Sequence, residues 1–81
     1  MKNNRMYAVL IKHGWGVMRQ LMTYETVDLI KEFNGAAVLS GYDQTKYIAC
    51  LVFQTKFDRD EFAETLRRRG FDFDTRDDAI I

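Results

Sequence analysis

The sequence predicts an α+β fold, a two-layer split βαβ (ferredoxin-like) sandwich in which two helices cover one face of an antiparallel sheet. Segments 6–12 and 46–54 are apolar at nearly every position, which is typical of central strands. Two amphipathic segments with helix-capping residues lie between the strands. In the order β(β)αββαβ, right-handed crossovers place both helices on the same side of the sheet.

The first half of the chain holds one strand, one helix and an ambiguous segment. The first strand, 6–12, ends at a loop that contains Gly14 and Gly16. Segment 17–22 is compatible with a second strand, which would form a hairpin with the first, or with the opening turns of a helix; we favour the strand. Thr23 is a candidate N-cap for a helix that ends at Asn34-Gly35.

The second half is predicted as a hairpin, a helix and an edge strand. Segments 36–41 and 46–54 form the hairpin. Thr55 or Asp58 caps a helix that ends with three arginines before Gly70, so that the charges complement the helix dipole. Residues 71–75 alternate Phe with Asp, as expected of an edge strand, and 76–81 are predicted to be a loose tail.

Length and charge limit the classes of function. The 81 residues are predicted to form one domain, 1–81. A chain this short buries only about 60–65% of its unfolded surface, so its stability margin is small. Lys plus Arg and Asp plus Glu each total 12, and this neutral balance argues against indiscriminate binding to phosphate.

Cysteine content and hydropathy favour a cytoplasmic location. Cys50 is the single cysteine, and a small domain without disulfides fits a reducing compartment. No apolar run approaches the roughly 20 residues that span a bilayer, so we expect no membrane partner. We also expect no signal peptide, because only six apolar residues follow segment 1–5.

Both faces of the central strands are apolar, and two helices cover only one of them. We expect Ala8 and Ala49 to lie on the helix side, where small residues allow close approach. The other face would then be an exposed aliphatic patch that a partner covers, most simply a second copy of the chain in a homodimer. The predicted partner face consists of Tyr7, Val9, Ile11, Ile48, Cys50 and Val52.

The sequence offers little for catalysis, and we expect no enzyme, no metal and no cofactor. Cys50 lies in the middle of a strand, where a thiol is usually an inert small hydrophobe. His13 has no second ligand at metal spacing. Gly14-Trp15-Gly16 lacks the third glycine of a dinucleotide-binding loop.

The second central strand invites comparison with a known family. Segment 46–53 resembles the central-strand signature of the RNA-recognition motif in its basic first, Ala fourth, aliphatic sixth and aromatic eighth positions, and Tyr7 falls where that family has its first-strand aromatic. Ile48 and Cys50 replace the two aromatics that stack on bases, and Tyr47 replaces a glycine. The resemblance therefore implies the sheet architecture more than the base-stacking function.

Two functions follow. The leading one is a small non-catalytic interaction or regulatory module, a homodimer that binds a host or partner macromolecule, of the kind found among accessory proteins of phages and mobile elements. The alternative is RNA binding through a basic N-terminal hairpin around Trp15, an aromatic that suits both protein hot spots and base stacking. The expected contact residues are Lys12, His13, Trp15, Arg19, Arg67, Arg68 and Arg69, with Lys2 and Arg5 adding to the basic surface.

Overall fold

The computed structural model describes residues 5–80, and the side chains of residues 6–78. The described part of the chain is α+β, with four strands and three helices. In chain order they are β1 (Arg5–Lys12), α1 (Val17–Leu21), α2 (Tyr24–Glu32), β2 (Ala36–Val38), β3 (Tyr47–Phe53), α3 (Lys56–Arg68) and β4 (Phe73–Ile80).

All four strands form one antiparallel sheet in the order β2-β3-β1-β4. The two strands that are apolar on both faces, β1 and β3, are the central pair, as predicted. In their register Ala8 lies opposite Val52 and Val9 lies opposite Leu51. The short edge strand β2 pairs only with Val52, Leu51 and Cys50.

All three helices pack against one face of the sheet, here called the helix side. Phe53 of β3 stacks against Phe62 of α3, with ring centroids 5.0 Å apart. At Gly35, after α2, a Cβ atom would lie only 2.6 Å from the Phe53 ring, so this approach requires glycine. The buried residues of this core are Val9, Ile11, Leu21, Leu51, Phe53, Phe62, Ala63, Leu66 and Phe71.

The helix boundaries follow from local capping: the predicted cap Thr23 is confirmed for α2, and of the two alternatives predicted for α3 the cap is Thr55. The Oγ1 atom of Thr23 accepts a hydrogen bond from the Thr26 amide, and the Oγ1 atom of Thr55 accepts one from the Asp58 amide. After α2, Asn34 takes a left-handed conformation with φ of 59°, and the Gly35 amide donates to the Ile30 carbonyl. This arrangement ends the helix at the predicted Asn-Gly pair.

The prediction of an extra hairpin strand at 17–22 is wrong, because this segment contains helix α1. Both long sides of β1 are occupied by β3 and β4, which leaves no edge on which a hairpin partner could pair. As a helix, the segment places Val17 and Leu21, four residues apart, against the helix-side core. Residues 5–80 therefore contain three helices, where two were predicted.

The prediction of a loose tail is wrong for residues 76–80, which continue strand β4; Ile81 lies outside the described residues. Arg59 of α3 holds this strand in place. Its side chain is only 3% exposed. Its guanidinium donates to the carbonyl oxygens of Ala8 and Arg76 and to the Asp77 carboxylate, at 3.4, 3.1 and 2.6 Å. A helix, the central strand and the edge strand are thus joined by one buried cation.

The predicted assignment of side chains to the two faces is wrong for β1. Residues directly opposite in an antiparallel pair share a face, so Ala8 joins Val52 and Leu10 joins Cys50 on the side away from the helices. Val9 and Ile11 belong to the helix-side core instead. Because the side-chain period of a strand is two, an error of one residue exchanges the faces completely.

A β-bulge changes the faces of β3 as well. Ile11 of β1 pairs with Ala49, but the next residue, Lys12, pairs with Tyr47. Ile48 therefore has no partner in β1 and is the extra residue of the bulge. Ile48 and Ala49 pack against the helix-side core, as was predicted for Ala49 but not for Ile48. Tyr47 lies on the other face with Cys50 and Val52.

The face away from the helices, here called the outer face, is covered by the chain itself. Ala8, Leu10, Cys50 and Val52 are between 1% and 7% exposed, although the three helices of residues 5–80 pack on the opposite face. Tyr47 is buried with them, and its hydroxyl donates a 2.5 Å hydrogen bond to Asp74. Met6, Val38 and Tyr42 pack around this second cluster.

We predict that Val52→Asp destabilises the single chain. The carboxylate would be buried without a partner, at a cost of about 3 kcal/mol or more in unfolding free energy, measured by urea denaturation. The matched control is Ala37→Asp on the exposed edge strand β2, with an expected change within about 1 kcal/mol. A Val52→Asp protein of unchanged stability would show that this face is open in the free chain.

Acid should weaken the bond between Arg59 and Asp77. The hydrogen bond from the Arg59 guanidinium holds the pKa of Asp77 below its usual value. A carboxylate whose pKa is lowered by folding contributes stability above its unfolded pKa of about 3.9, and this contribution is lost as the pH falls through the folded pKa. Unfolding free energy should therefore fall less steeply in Asp77→Asn than in the wild type between about pH 5 and pH 3. If unfolding free energy fell equally with pH in both proteins, the bond between Arg59 and Asp77 would not be a source of acid sensitivity.

Candidate functional site

The loop after β1 projects a tryptophan fully into solvent. Trp15 has a relative exposure of 101%. Gly16 has φ of 74° at the start of α1, and a Cβ atom at Gly14 would lie 2.9 Å from the Val17 side chain. The two glycines therefore allow the tight turn that carries Trp15 outward.

His13 fixes the base of this loop. Its Nε2 atom lies 2.9 Å from the Gln44 carbonyl oxygen. A carbonyl oxygen only accepts, so Nε2 carries the proton. The His13 amide also donates to the Lys46 carbonyl at 3.4 Å. His13 thus joins the loop after β1 to the loop before β3.

Helix α1 adds apolar side chains beside Trp15. Its inner residues, Val17 and Leu21, pack against the core, whereas Met18 is 52% exposed and Met22, just after the helix, is 73% exposed. Arg19 also faces solvent. A groove of about 480 Å³ lies along this side, lined by Gly14, Trp15, Gly16, Met18, Arg19, Gln20 and Ile48.

Of the three predicted arginines at the end of α3, Arg69 lies beside the residues of this groove. Arg69 lines a second depression, of about 370 Å³, together with Gln20, Thr23, Glu25, Thr26 and Phe71. Gln20 lines both depressions, so Arg69 and Trp15 border one continuous surface. We call this surface, residues 12–22 with 67–69, the Trp15 end.

Acids balance many of the cations at the Trp15 end. Lys12 Nζ lies 3.7 Å from Asp74. The Tyr47 hydroxyl first, and the charge of Lys12 second, lower the pKa of Asp74. Arg67 and Arg68 lie 3.7 and 3.8 Å from the Glu64 carboxylate. The predicted basic residues therefore converge, but into a surface of mixed sign.

The predicted partner face does not form one surface. Tyr7 lies on the helix side, where the Arg59 guanidinium is 5.7 Å from its ring centroid. Only two members lie on the outer face, and both are buried. The predicted set thus divides into Tyr7, Val9, Ile11 and Ile48 on the helix side and Cys50 and Val52 on the outer face.

Met18, Met22 and Tyr24 were not among the predicted contact residues, and their exposed side chains adjoin or follow α1. They were overlooked because segment 17–22 was predicted as a strand rather than as a helix with an exposed side. The spacing of four between Val17 and Leu21 and between Met18 and Met22 would have indicated one inner and one outer side of a helix. Lys2 lies outside the described residues, as does the side chain of Arg5.

The single thiol of the chain, Cys50, is buried in β3. Burial raises the pKa of the Cys50 thiol, which disfavours the reactive thiolate. Within residues 5–80, no group of three or more His, Cys, Asp or Glu side chains is placed to hold a metal ion. Over the same residues, no helix has the length and apolar character needed to cross a membrane.

Comparison with known proteins gives no relatives: no family model, no curated protein and no solved structure matches the chain. The residues and their geometry are therefore the basis for a functional proposal.

We predict that Trp15 contributes nothing to folding. Trp15→Ala should change unfolding free energy by no more than about 0.5 kcal/mol, because the side chain is fully exposed. Phe62→Ala, in the core, should cost about 3–5 kcal/mol in the same urea titration. Acrylamide should quench wild-type Trp15 fluorescence nearly as well as it quenches free tryptophan. A large stability loss in Trp15→Ala would show that the loop folds back onto the protein.

Proposed function

We propose that this protein is a non-catalytic interaction module that binds a partner macromolecule through the Trp15 end. The observation that carries the proposal is a fully exposed tryptophan on a loop whose base is bonded through His13 to Gln44 and Lys46. Trp and Arg are enriched at binding hot spots, and a loop that is anchored at its base has less conformational entropy to lose on binding. Met18 and Met22 extend the apolar surface.

The homodimer remains a prediction, but the exposed sheet face on which it was based is not present in the described part of the chain. The sheet was expected to need a second copy to cover an exposed aliphatic patch. Ala8, Leu10, Cys50 and Val52 are instead buried within one chain. If two copies associate, the exposed Trp15 end offers them more apolar surface than the outer face does.

We further propose that the fold is the split βαβ, ferredoxin-like arrangement. The strand order β2-β3-β1-β4, the antiparallel pairing and the position of all three helices on one face support this. A cytoplasmic location also remains our proposal, supported by the single free Cys50.

RNA binding is the second candidate, and one observation favours it. Lys12, His13, Arg19 and Arg69 lie at the same end of the molecule as Trp15, which could stack on a base. The interleaved acids make this candidate weaker, since Asp74 and Glu64 already engage cations that a phosphate backbone would need.

Site-specific photo-cross-linking tests the proposal. A photoreactive residue is placed at position 18, in place of Met18, and the protein is irradiated in extract from the native cells. One discrete adduct should form, and it should disappear when the same chain also carries the Trp15→Ala substitution. The same residue at Ala37, exposed on β2, is the matched control and should give none. Protease or ribonuclease sensitivity of the adduct distinguishes a protein from RNA, and an adduct of two chains identifies self-association. Equal adducts from both positions, or an adduct indifferent to Trp15→Ala, would contradict the proposal.

A further inference from the structure

We infer that the groove beside Trp15 binds an acidic segment of a partner protein, anchored by apolar side chains. This inference rests on the proposed function and adds to it the chemistry of the partner. Three observations support it: the apolar lining of the groove, the arginine in that lining, which makes no ion pair within residues 5–80, and the pairing of neighbouring cations outside the groove with acids.

One lining residue of the groove, Ile48, comes from an irregularity in the sheet. Ile48 is the extra residue of the β3 bulge, and it is half-buried where the groove meets the core. Bulges commonly redirect a side chain in this way. Trp15 and Met18 supply the other apolar lining residues. A volume of about 480 Å³ accommodates a few apolar side chains of an incoming peptide.

The charge of the groove favours a carboxylate. Among the described residues that line it, Arg19 is the single charged one and none is acidic. Within residues 5–80, no ion pair engages Arg19. An arginine guanidinium binds a carboxylate through two parallel hydrogen bonds, which adds geometric specificity. Beyond Gln20, Arg69 offers a second cation, although Glu25 lines the same depression.

A protein segment fits this surface better than RNA. An RNA backbone needs a row of available cations, whereas Lys12 is paired with Asp74, and Arg67 and Arg68 lie beside Glu64. A peptide needs only one or two carboxylates positioned near Arg19 and Arg69. Met18 and Met22 also provide the adaptable, polarizable surface that is typical of peptide-binding grooves.

Trp15 itself supplies the readout, because it is the only tryptophan in the chain. The probe is a synthetic peptide without Trp or Tyr that carries a Leu–Phe pair flanked by glutamates. Binding should shift Trp15 emission to shorter wavelength and protect it from acrylamide. One matched peptide has every Glu replaced by Gln, a second has Leu and Phe replaced by Ser, and oligouridylate serves as the RNA probe.

We expect the acidic peptide to bind and the Gln and Ser peptides to bind about tenfold more weakly or worse. Arg19→Glu should weaken the binding of the acidic peptide by at least about the same factor. The control Lys31→Glu reverses an exposed charge on α2 that lines neither depression, and it should have a much smaller effect. Circular dichroism establishes that both variants are folded.

Several results would overturn the inference: no change in Trp15 emission at millimolar acidic peptide, equal binding of the Gln peptide, tighter binding of oligouridylate, or an emission shift with protein concentration alone. The last two would identify RNA or a second copy as the occupant. If the peptides fail while the Met18 cross-link still depends on Trp15, the interaction module stands and only this partner chemistry is wrong. If both fail, the proposed function is wrong too.

Discussion

Antiparallel pairing of β1 along both of its sides is the constraint on which the rest of the structure depends. With β3 on one side and β4 on the other, β1 offers no edge to the residues that follow it. Segment 17–21 must therefore leave the sheet, and it forms a short helix over the core. The reversal between β1 and this helix places Trp15 in solvent, so the exposed surface is a consequence of how the central strand is paired.

The same pairing determines which side chains are internal. Opposite residues in β1 and β3 share a face, which sends Val9, Ile11, Leu51 and Phe53 toward the helices. The outer face then receives smaller residues, and Tyr47 covers them while bonding to Asp74. Arg59 completes the arrangement by joining α3 to β1 and β4 through two carbonyls and a carboxylate. A short chain thereby buries both faces of its central strands with few helices.

Local signals in the sequence predicted much of this fold. Thr23 and Thr55 act as caps, Asn34-Gly35 ends a helix, and the two doubly apolar strands are central. The faces of β1 could not be predicted, because Tyr7 to Ile11 is apolar on both sides and periodicity does not distinguish them. The bulge at Ile48 and the extension of β4 depend on partners distant in sequence, which a local pattern does not contain.

The candidate site was predicted in part. The flanking glycines and lone aromatic character of Trp15 drew attention to it; the structure places its side chain in solvent, with Arg19 in the lining of the same groove and Arg69 in the adjoining depression. The groove was not predictable, since it combines α1, which was read as a strand, with the bulge residue Ile48. The expected partner face failed for the same reason: its members were grouped without the register that separates them.

The central claim is that the sheet is covered by its own chain and that contacts occur at the Trp15 end. Size exclusion with light scattering, over a concentration series of the wild type and Trp15→Ala side by side, tests it most directly. We predict a folded single chain for Trp15→Ala at every concentration, with any association confined to the wild type. A stable two-chain mass in both proteins would contradict it, because the dimer would then depend on a surface other than the Trp15 end.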